Sequence, residues 1–460
     1  WDGTELWVAP FGPDARVGAA RLVAGGRAES ISQPRWSPDG RLHFLSDRNG
    51  WWNLYVDDGR GGRPLAPRAA ELCGPDWALG ESSYVFLPDG RLVATWSSGG
   101  FGHLGVLEGD ELVEVPTPYC AFSSLAALDG GVAAVAGSPT EEPAVVRIDV
   151  ASGSAEVLRR SRPPLMDPGD VSAPVAIEFP SEGGRTAHAL FYRPAHRDTT
   201  GPDGERPPLV VTCHGGPTGA ASPVLDLGVQ FWTNRGLAVA AVDYGGSAGY
   251  GRPYRELLRG AWGIVDVDDC VAAARWLADR GEVDGRRMVI RGRSAGGFTA
   301  LAALTFRDVF AAAASHYGIA DLAALARDSH KFESHYLDSL VGPWPAAEAA
   351  YRARSPVHHV DLVDRPLILF QGLEDPIVPP AQAEAMAGAL RARGVPVAFL
   401  AFEGERHGFR RADTVVAVAE AELSFYGQVL GFEPADAIQP VHIEPLPIER
   451  AGAPPAPPAR

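Results

Sequence analysis

At 460 residues the chain is too long for one ordinary core, and its composition, 46% hydrophobic, 21% charged and 9% aromatic, is that of a globular protein of two or more domains. Its 57 acidic against 41 basic residues leave a formal net charge of −16; with no Lys/Arg cluster to offset it, nucleic-acid binding is excluded. No apolar run reaches the length of a membrane span, so no membrane partner is expected. Cys73, Cys120, Cys213 and Cys270 lie far apart with no Cys-x-x-Cys pair, which speaks against a disulfide framework or zinc knuckle and fits a reducing compartment. No signal-peptide pattern opens the chain, which begins at Trp1 and not at methionine; the cytoplasm is the expected setting.

Residues 1 to 165 read as short strands broken by turn clusters. Trp36-Ser37-Pro38-Asp39-Gly40-Arg41-Leu42, Pro88-Asp89-Gly90-Arg91-Leu92 and Asp129-Gly130-Gly131-Val132 each lead into a strand-like run. Asp-Gly between such strands is a strong hairpin signal, and its return every 40 to 50 residues is the period of β-propeller blades. The rival is a β-sandwich with common Asp-Gly turns. Glu5-Leu6-Trp7-Val8 resembles the closing strand of a unit that starts upstream. Three to four blades cannot close a ring and leave exposed edges, so the expectation is a partial propeller whose upstream blades are missing from this sequence.

A Pro- and charge-rich link, Arg159 to Asp170, precedes a change of pattern. Val175–Phe179 and Thr186–Tyr192 predict an antiparallel hairpin. Strands are then expected at Leu209–Cys213, Leu237–Val242, Met288–Arg291, Ala311–Ser315, Leu367–Phe370 and Val397–Phe402, with helices between them such as Asp268–Asp279 and Ala381–Arg393. Such alternation means a mostly parallel sheet covered on both faces. The expected division is a partial β-propeller over 1–165, a doubly wound α/β domain over 166–434, and an extension over 435–460 whose Ala/Pro-rich end predicts disorder.

The organising stretch is Met288-Val289-Ile290-Arg291-Gly292-Arg293-Ser294-Ala295-Gly296-Gly297, an apolar run, a Gly-x-Ser-x-Gly turn and then helix-forming residues. That is the strand, sharp turn and helix of a nucleophile elbow, which makes Ser294 the candidate nucleophile. Two loops after later strands present Asp375, in Gln371-Gly372-Leu373-Glu374-Asp375-Pro376, and His407, in Glu405-Arg406-His407-Gly408-Phe409. The order Ser, Asp, His is that of an α/β hydrolase; His407 is the candidate base, Asp375 its partner, and Glu374 the rival acid. Cys213-His214-Gly215-Gly216-Pro217 follows the first parallel strand and is an HGG-type oxyanion loop. Gly216 N–H, with Gly215 as the alternative, and Ala295 N–H are the expected oxyanion donors. A second Gly-x-Ser-x-Gly, Gly245-Gly246-Ser247-Ala248-Gly249, is followed by Tyr250-Gly251-Arg252-Pro253, where Gly and Pro disfavour an immediate helix; Ser247 is read as part of a rigid loop. Asp266, Asp268 and Asp269 read as acids that suit a helix start, and His358-His359 lacks metal-ligand spacing. No metal or cofactor is expected.

Together with Asp243-Tyr244-Gly245-Gly246-Ser247-Ala248-Gly249-Tyr250-Gly251, Trp262-Gly263 and Asp375-Pro376-Ile377-Val378-Pro379, these blocks resemble the prolyl oligopeptidase family of serine peptidases, in particular its acylaminoacyl-peptidase and dipeptidyl-peptidase-like bacterial branch. The resemblance implies a propeller capping an α/β-hydrolase domain, so that only short or unfolded peptides reach Ser294. It also implies about twice as much propeller as this sequence holds. Tyr244, Phe332 and Tyr336 are the candidate substrate-pocket residues, the last two in Lys331-Phe332-Glu333-Ser334-His335-Tyr336, which reads equally as a surface insertion. The expected activity is hydrolysis of short peptides through an acyl-enzyme. A carboxylesterase and an inactive propeller–hydrolase scaffold are the alternatives, and a homo-oligomer stays open.

Overall fold

In the computed structural model, which describes residues 2–444 apart from 76 and 78, each of the three Asp-Gly turns joins the first two strands of a four-stranded antiparallel sheet. The sheets comprise Ile31–Trp36, Leu42–Ser46, Asn53–Val56 and Arg63–Leu65; Tyr84–Phe86, Leu92–Ser98, Phe101–Glu108 and Glu111–Glu114; and Ala121–Leu128, Gly131–Ser138, Glu141–Asp149 and Ala155–Arg160. Gly40, Gly90 and Gly130 turn the chain at φ of +79°, +89° and +71°, a region open to glycine without strain. Successive sheets bury their faces on one another, Leu45 and Leu54 with Tyr84 and Ala94, then Val93 and Leu104 with Val132 and Val146. These are blades of a partial β-propeller. Glu5–Val8, expected to close a unit, is instead followed by its own antiparallel partner, Arg21–Gly25.

The chain forms two compact units. The first runs to Ala176 and takes in two later segments, Ala220–Gln230 and Ser247–Glu256; the second holds Ile177–Gly219, Phe231–Gly246 and the chain from Leu257 on. The border expected at 165/166 thus lies later, and two segments expected in the α/β domain belong with the blades. Ion pairs explain the second of these. Within the first unit, Arg252 Nη1 and Arg255 Nη2 reach the buried carboxylate of Asp47 at 2.9 and 2.7 Å, and Gly251 N donates to Glu71 at 3.1 Å. Burial pushes the Glu71 carboxyl up to about 7, against the pull of its hydrogen bonds and of Arg255.

The second unit is built on one eight-stranded sheet: β1 (Val175–Pro180), β2 (Thr186–Tyr192), β3 (Leu209–Cys213), β4 (Ala238–Asp243), β5 (Met288–Arg293), β6 (Ala312–His316), β7 (Leu367–Gly372) and β8 (Val397–Phe402), in the order β1-β2-β4-β3-β5-β6-β7-β8. β2 runs antiparallel to β4, and every pairing from β4 to β8 is parallel. Helices α1 (Val265–Asp279), α2 (Ala295–Phe306), α3 (Ala381–Ala392) and α4 (Ala412–Leu430) cover the sheet. This is the α/β-hydrolase fold. α2 is apolar on all sides because it is buried from Ala295 through Thr305. Beyond α4, Glu444 exchanges backbone hydrogen bonds with Val397 at 2.8 and 2.9 Å; the tail expected to be disordered, 445–460, lies outside the described residues.

A buried charge network ties α4 to the sheet. Glu422 accepts from Arg291 Nε and Nη2 at 2.6 and 3.0 Å and from the Tyr426 hydroxyl at 2.8 Å, and its Oε2 lies 3.1 Å from His316 Nε2. Burial alone would raise the Glu422 pKa, but Arg291 beside it prevails and holds it far below its ordinary 4.5. Its stabilising contribution is therefore complete above about pH 4.5 and is lost as pH falls below that value. Glu422→Leu removes the carboxylate that Arg291 binds within this buried network and is expected to destabilise the chain by about 3–5 kcal/mol in chemical denaturation. Adding Arg291→Met is expected to recover much of that loss; a single variant as stable as the wild type would refute the pairing.

Candidate active site

The elbow forms because β5 and α2 meet at Ser294, which adopts φ +54° and ψ −121° and stands at the N-cap of α2. A Cβ on Gly292 would lie 2.0 Å from Gly296 O, and one on Gly296 would lie 2.2 Å from Cys213 O. Both ends of Gly-x-Ser-x-Gly must therefore be glycine: one lets strand and helix close on each other, the other lets the elbow sit against the end of β3.

Two loops at the carboxyl ends of β7 and β8 bring the acid and the imidazole to this serine. His407 Nε2 lies 2.8 Å from Ser294 Oγ, and His407 Nδ1 lies 2.8 Å from Asp375 Oδ2. Asp375 is buried, and its other oxygen accepts from the backbone N–H of Ile377 at 2.8 Å and of Val378 at 3.0 Å. With one oxygen bound by those two donors, the carboxylate can only turn the other toward His407. Gln371 Nε2 clips the same loop, donating to Gly372 O and Val378 O, each at 3.1 Å. Glu374, the rival acid, is exposed, and the acidic contact to His407 comes from its neighbour.

The His214-Gly215-Gly216-Pro217 loop passes beside the elbow, where a Cβ on Gly215 would lie 3.7 Å from Ser294 Cβ. Ala295, the other expected oxyanion donor, is the first residue of α2. Tyr244, expected to line the substrate pocket, is fully buried underneath the loop. Its ring stacks on His214 at 4.3 Å, and its hydroxyl lies 3.1 Å from His214 O and 3.0 Å from Pro217 O. Tyr244 thus supports the loop and offers no accessible wall. Burial pushes the His214 imidazole down to about 4, so it stays neutral near pH 7.

The segment that carries the other two pocket candidates is a short 3-10 turn, Lys331–Glu333, and a helix, Tyr336–Leu340. Tyr336 shares a hydrogen bond of 2.8 Å with Thr218, two residues past Gly216, whereas Phe332 projects into solvent. Ser247 is fully buried and leads to a single helical turn, Arg252–Arg255, so the second Gly-x-Ser-x-Gly forms no elbow.

Sequence reading missed several supports. Asp266, taken for an acid that merely suits a helix start, is fully buried; it accepts from Thr299 of α2 and from Gly263 N, both at 2.6 Å, and burial pushes it up to about 6. Asp269 accepts from Gly245 N at 2.7 Å and pairs with Arg185 at 3.0 Å. His316 and Tyr317 at the end of β6 carried no motif; the buried neighbours that mark them become visible only in the fold.

Residues 223–433 match the pattern of the prolyl oligopeptidase family. Dipeptidyl aminopeptidase BIII of Pseudoxanthomonas mexicana is 30% identical over 315 residues, 66% of this chain and 45% of that protein. The chain spans about half the length of the curated relatives it matches. Among solved structures, a puromycin-hydrolysing peptidase of Mycobacterium tuberculosis is 46% identical with a TM-score of 0.92, over 96% of this chain and 68% of that one. A second, puromycin hydrolase, is 42% identical with a TM-score of 0.91 over the same shares. With its elbow, its blades and these likenesses, the chain belongs to the prolyl oligopeptidase family.

Proposed function

We propose that the chain is a serine peptidase that cleaves short peptides through an acyl-enzyme, with Ser294, His407 and Asp375 as its triad. The observation that carries this reading is the continuous relay of 2.8 Å contacts from Ser294 Oγ through both ring nitrogens of His407 to Asp375. His407 Nε2 takes the Ser294 proton as Oγ attacks the substrate carbonyl, then returns it to the leaving amine. Asp375 keeps the other proton on Nδ1 and stabilises the imidazolium. The N–H groups of Gly216 and Ala295 receive the oxyanion at the positive end of α2. Water then cleaves the acyl-enzyme by the same steps.

Family membership, with relatives named as peptidases, favours amide over ester substrates. Puromycin enters as a candidate substrate from the names of two structural relatives, and one relative is described in complex with PGG. Tyr336, through its bond to Thr218, is the pocket candidate that stays close to the oxyanion loop. The test compares turnover of peptide anilides, puromycin and short acyl esters by the purified chain. Amide cleavage that disappears in Ser294→Ala is expected, whatever the ester rate; strong ester turnover with no amide cleavage would make the protein a carboxylesterase instead.

A further inference from the structure

The dipeptide His316-Tyr317, at the carboxyl end of β6, reaches both the serine and the imidazole of the proposed triad. His316 O accepts the hydrogen bond of Ser294 N at 3.0 Å, and Tyr317 N donates to Phe370 O at 2.7 Å. Between these two backbone bonds Tyr317 is held at φ +42°, a left-handed conformation that residues other than glycine rarely adopt. The Tyr317 ring meets the His407 ring with centroids 4.9 Å apart and planes at 62°, and on another side it meets Phe409 at 5.3 Å.

His316 holds the dipeptide in place. It is buried, stacks on Phe370 at 4.8 Å, and its Nε2 lies 3.1 Å from Glu422, within the network that joins β5, β6 and α4. Strain of this kind persists only where the surroundings over-determine it, and it gathers at functional sites. Glycine would adopt this backbone freely, so a tyrosine here marks a use for its ring. Of the rings it meets, His316, His407 and Phe409, His407 is the one in the relay to Ser294.

We propose that Tyr317 is a positioning residue: its ring sets the plane of the His407 imidazole so that Nε2 stays on Ser294 Oγ while Nδ1 stays on Asp375. This role rests on the triad proposed above. An imidazole free to swing loses both contacts together, and a misplacement of about 1 Å can cost about 100-fold in rate. On this reading the ring acts through His407, so the loss belongs in kcat.

The test uses the full chain as wild type, Tyr317→Leu, Tyr317→Phe and Phe409→Leu. For each, the rate and end-point of Ser294 labelling by a fluorophosphonate are measured, with kcat and KM on a peptide anilide. Tyr317→Leu is expected to label to the wild-type end-point but to lose about 10- to 100-fold in kcat and labelling rate, with KM little changed. Tyr317→Phe, which keeps the ring, is expected to restore most of that rate, and Phe409→Leu to lose a smaller part of it. The proposal is overturned if Tyr317→Leu keeps the wild-type kcat, if its loss only follows a lowered labelling end-point, or if Tyr317→Phe is as impaired as Tyr317→Leu. A wild-type chain that neither labels nor hydrolyses overturns the triad itself, and this role with it.

Discussion

Replacing Ser294 by alanine is expected to abolish fluorophosphonate labelling and to lower kcat on any cleaved substrate by roughly a millionfold. The serine hydroxyl contacts His407 Nε2, and its backbone already stands at φ +54°, which alanine tolerates about as well as serine does. The thermal midpoint is therefore expected to stay close to that of the wild type, so that lost activity reports lost chemistry. Labelling or hydrolysis that survives in Ser294→Ala would move the nucleophile elsewhere. Ser247, being fully buried, would be a poor successor.

Asp375→Asn is expected to cost about 10⁴-fold in kcat. The reason lies in the loop as much as in the lost charge. The backbone donors of Ile377 and Val378 occupy one carboxylate oxygen, and Gln371 Nε2 lies 3.4 Å from the other. An asparagine placed there is oriented by those donors, carbonyl toward the two N–H groups and amide toward His407. Nδ1 must then accept a hydrogen bond, the proton moves to Nε2, and the ring cannot take the Ser294 proton. Glu374→Gln, at the exposed neighbour, is expected to leave kcat/KM within about twofold, as is usual for an exposed substitution. A loss below about tenfold in Asp375→Asn, or a large one in Glu374→Gln, would reassign the acid.

The three residues of the relay were legible because each sits in a local pattern with its own steric reason. At Gly292 and Gly296 a Cβ would lie 2.0 and 2.2 Å from backbone oxygens, and a glycine pair bracketing a serine between strand and helix is the sequence mark of such close approach. The hairpin turns at Gly40, Gly90 and Gly130 were legible for the same reason. Tyr244 was misplaced because it neighbours the expected oxyanion loop, whereas its own burial depends on the His214 ring, which follows another strand. Asp266 was underestimated because an acid at a helix start looks the same in sequence whether water or Thr299 receives it.

Alone, the sequence settles the α/β-hydrolase fold with its blades, the family and the identity of the three residues in the relay, since these rest on backbone conformations and periodicities spanning a few residues. Only the folded chain decides what stands behind them. Arg291 meets Glu422 across 131 positions, Arg252 meets Asp47 across 205, and Tyr317 is pressed on His407 by a strand end that carries no motif. Such pairs are selected by burial: a charge or a strained backbone is tolerated where distant parts of the chain converge to satisfy it, and no local pattern specifies which parts those will be.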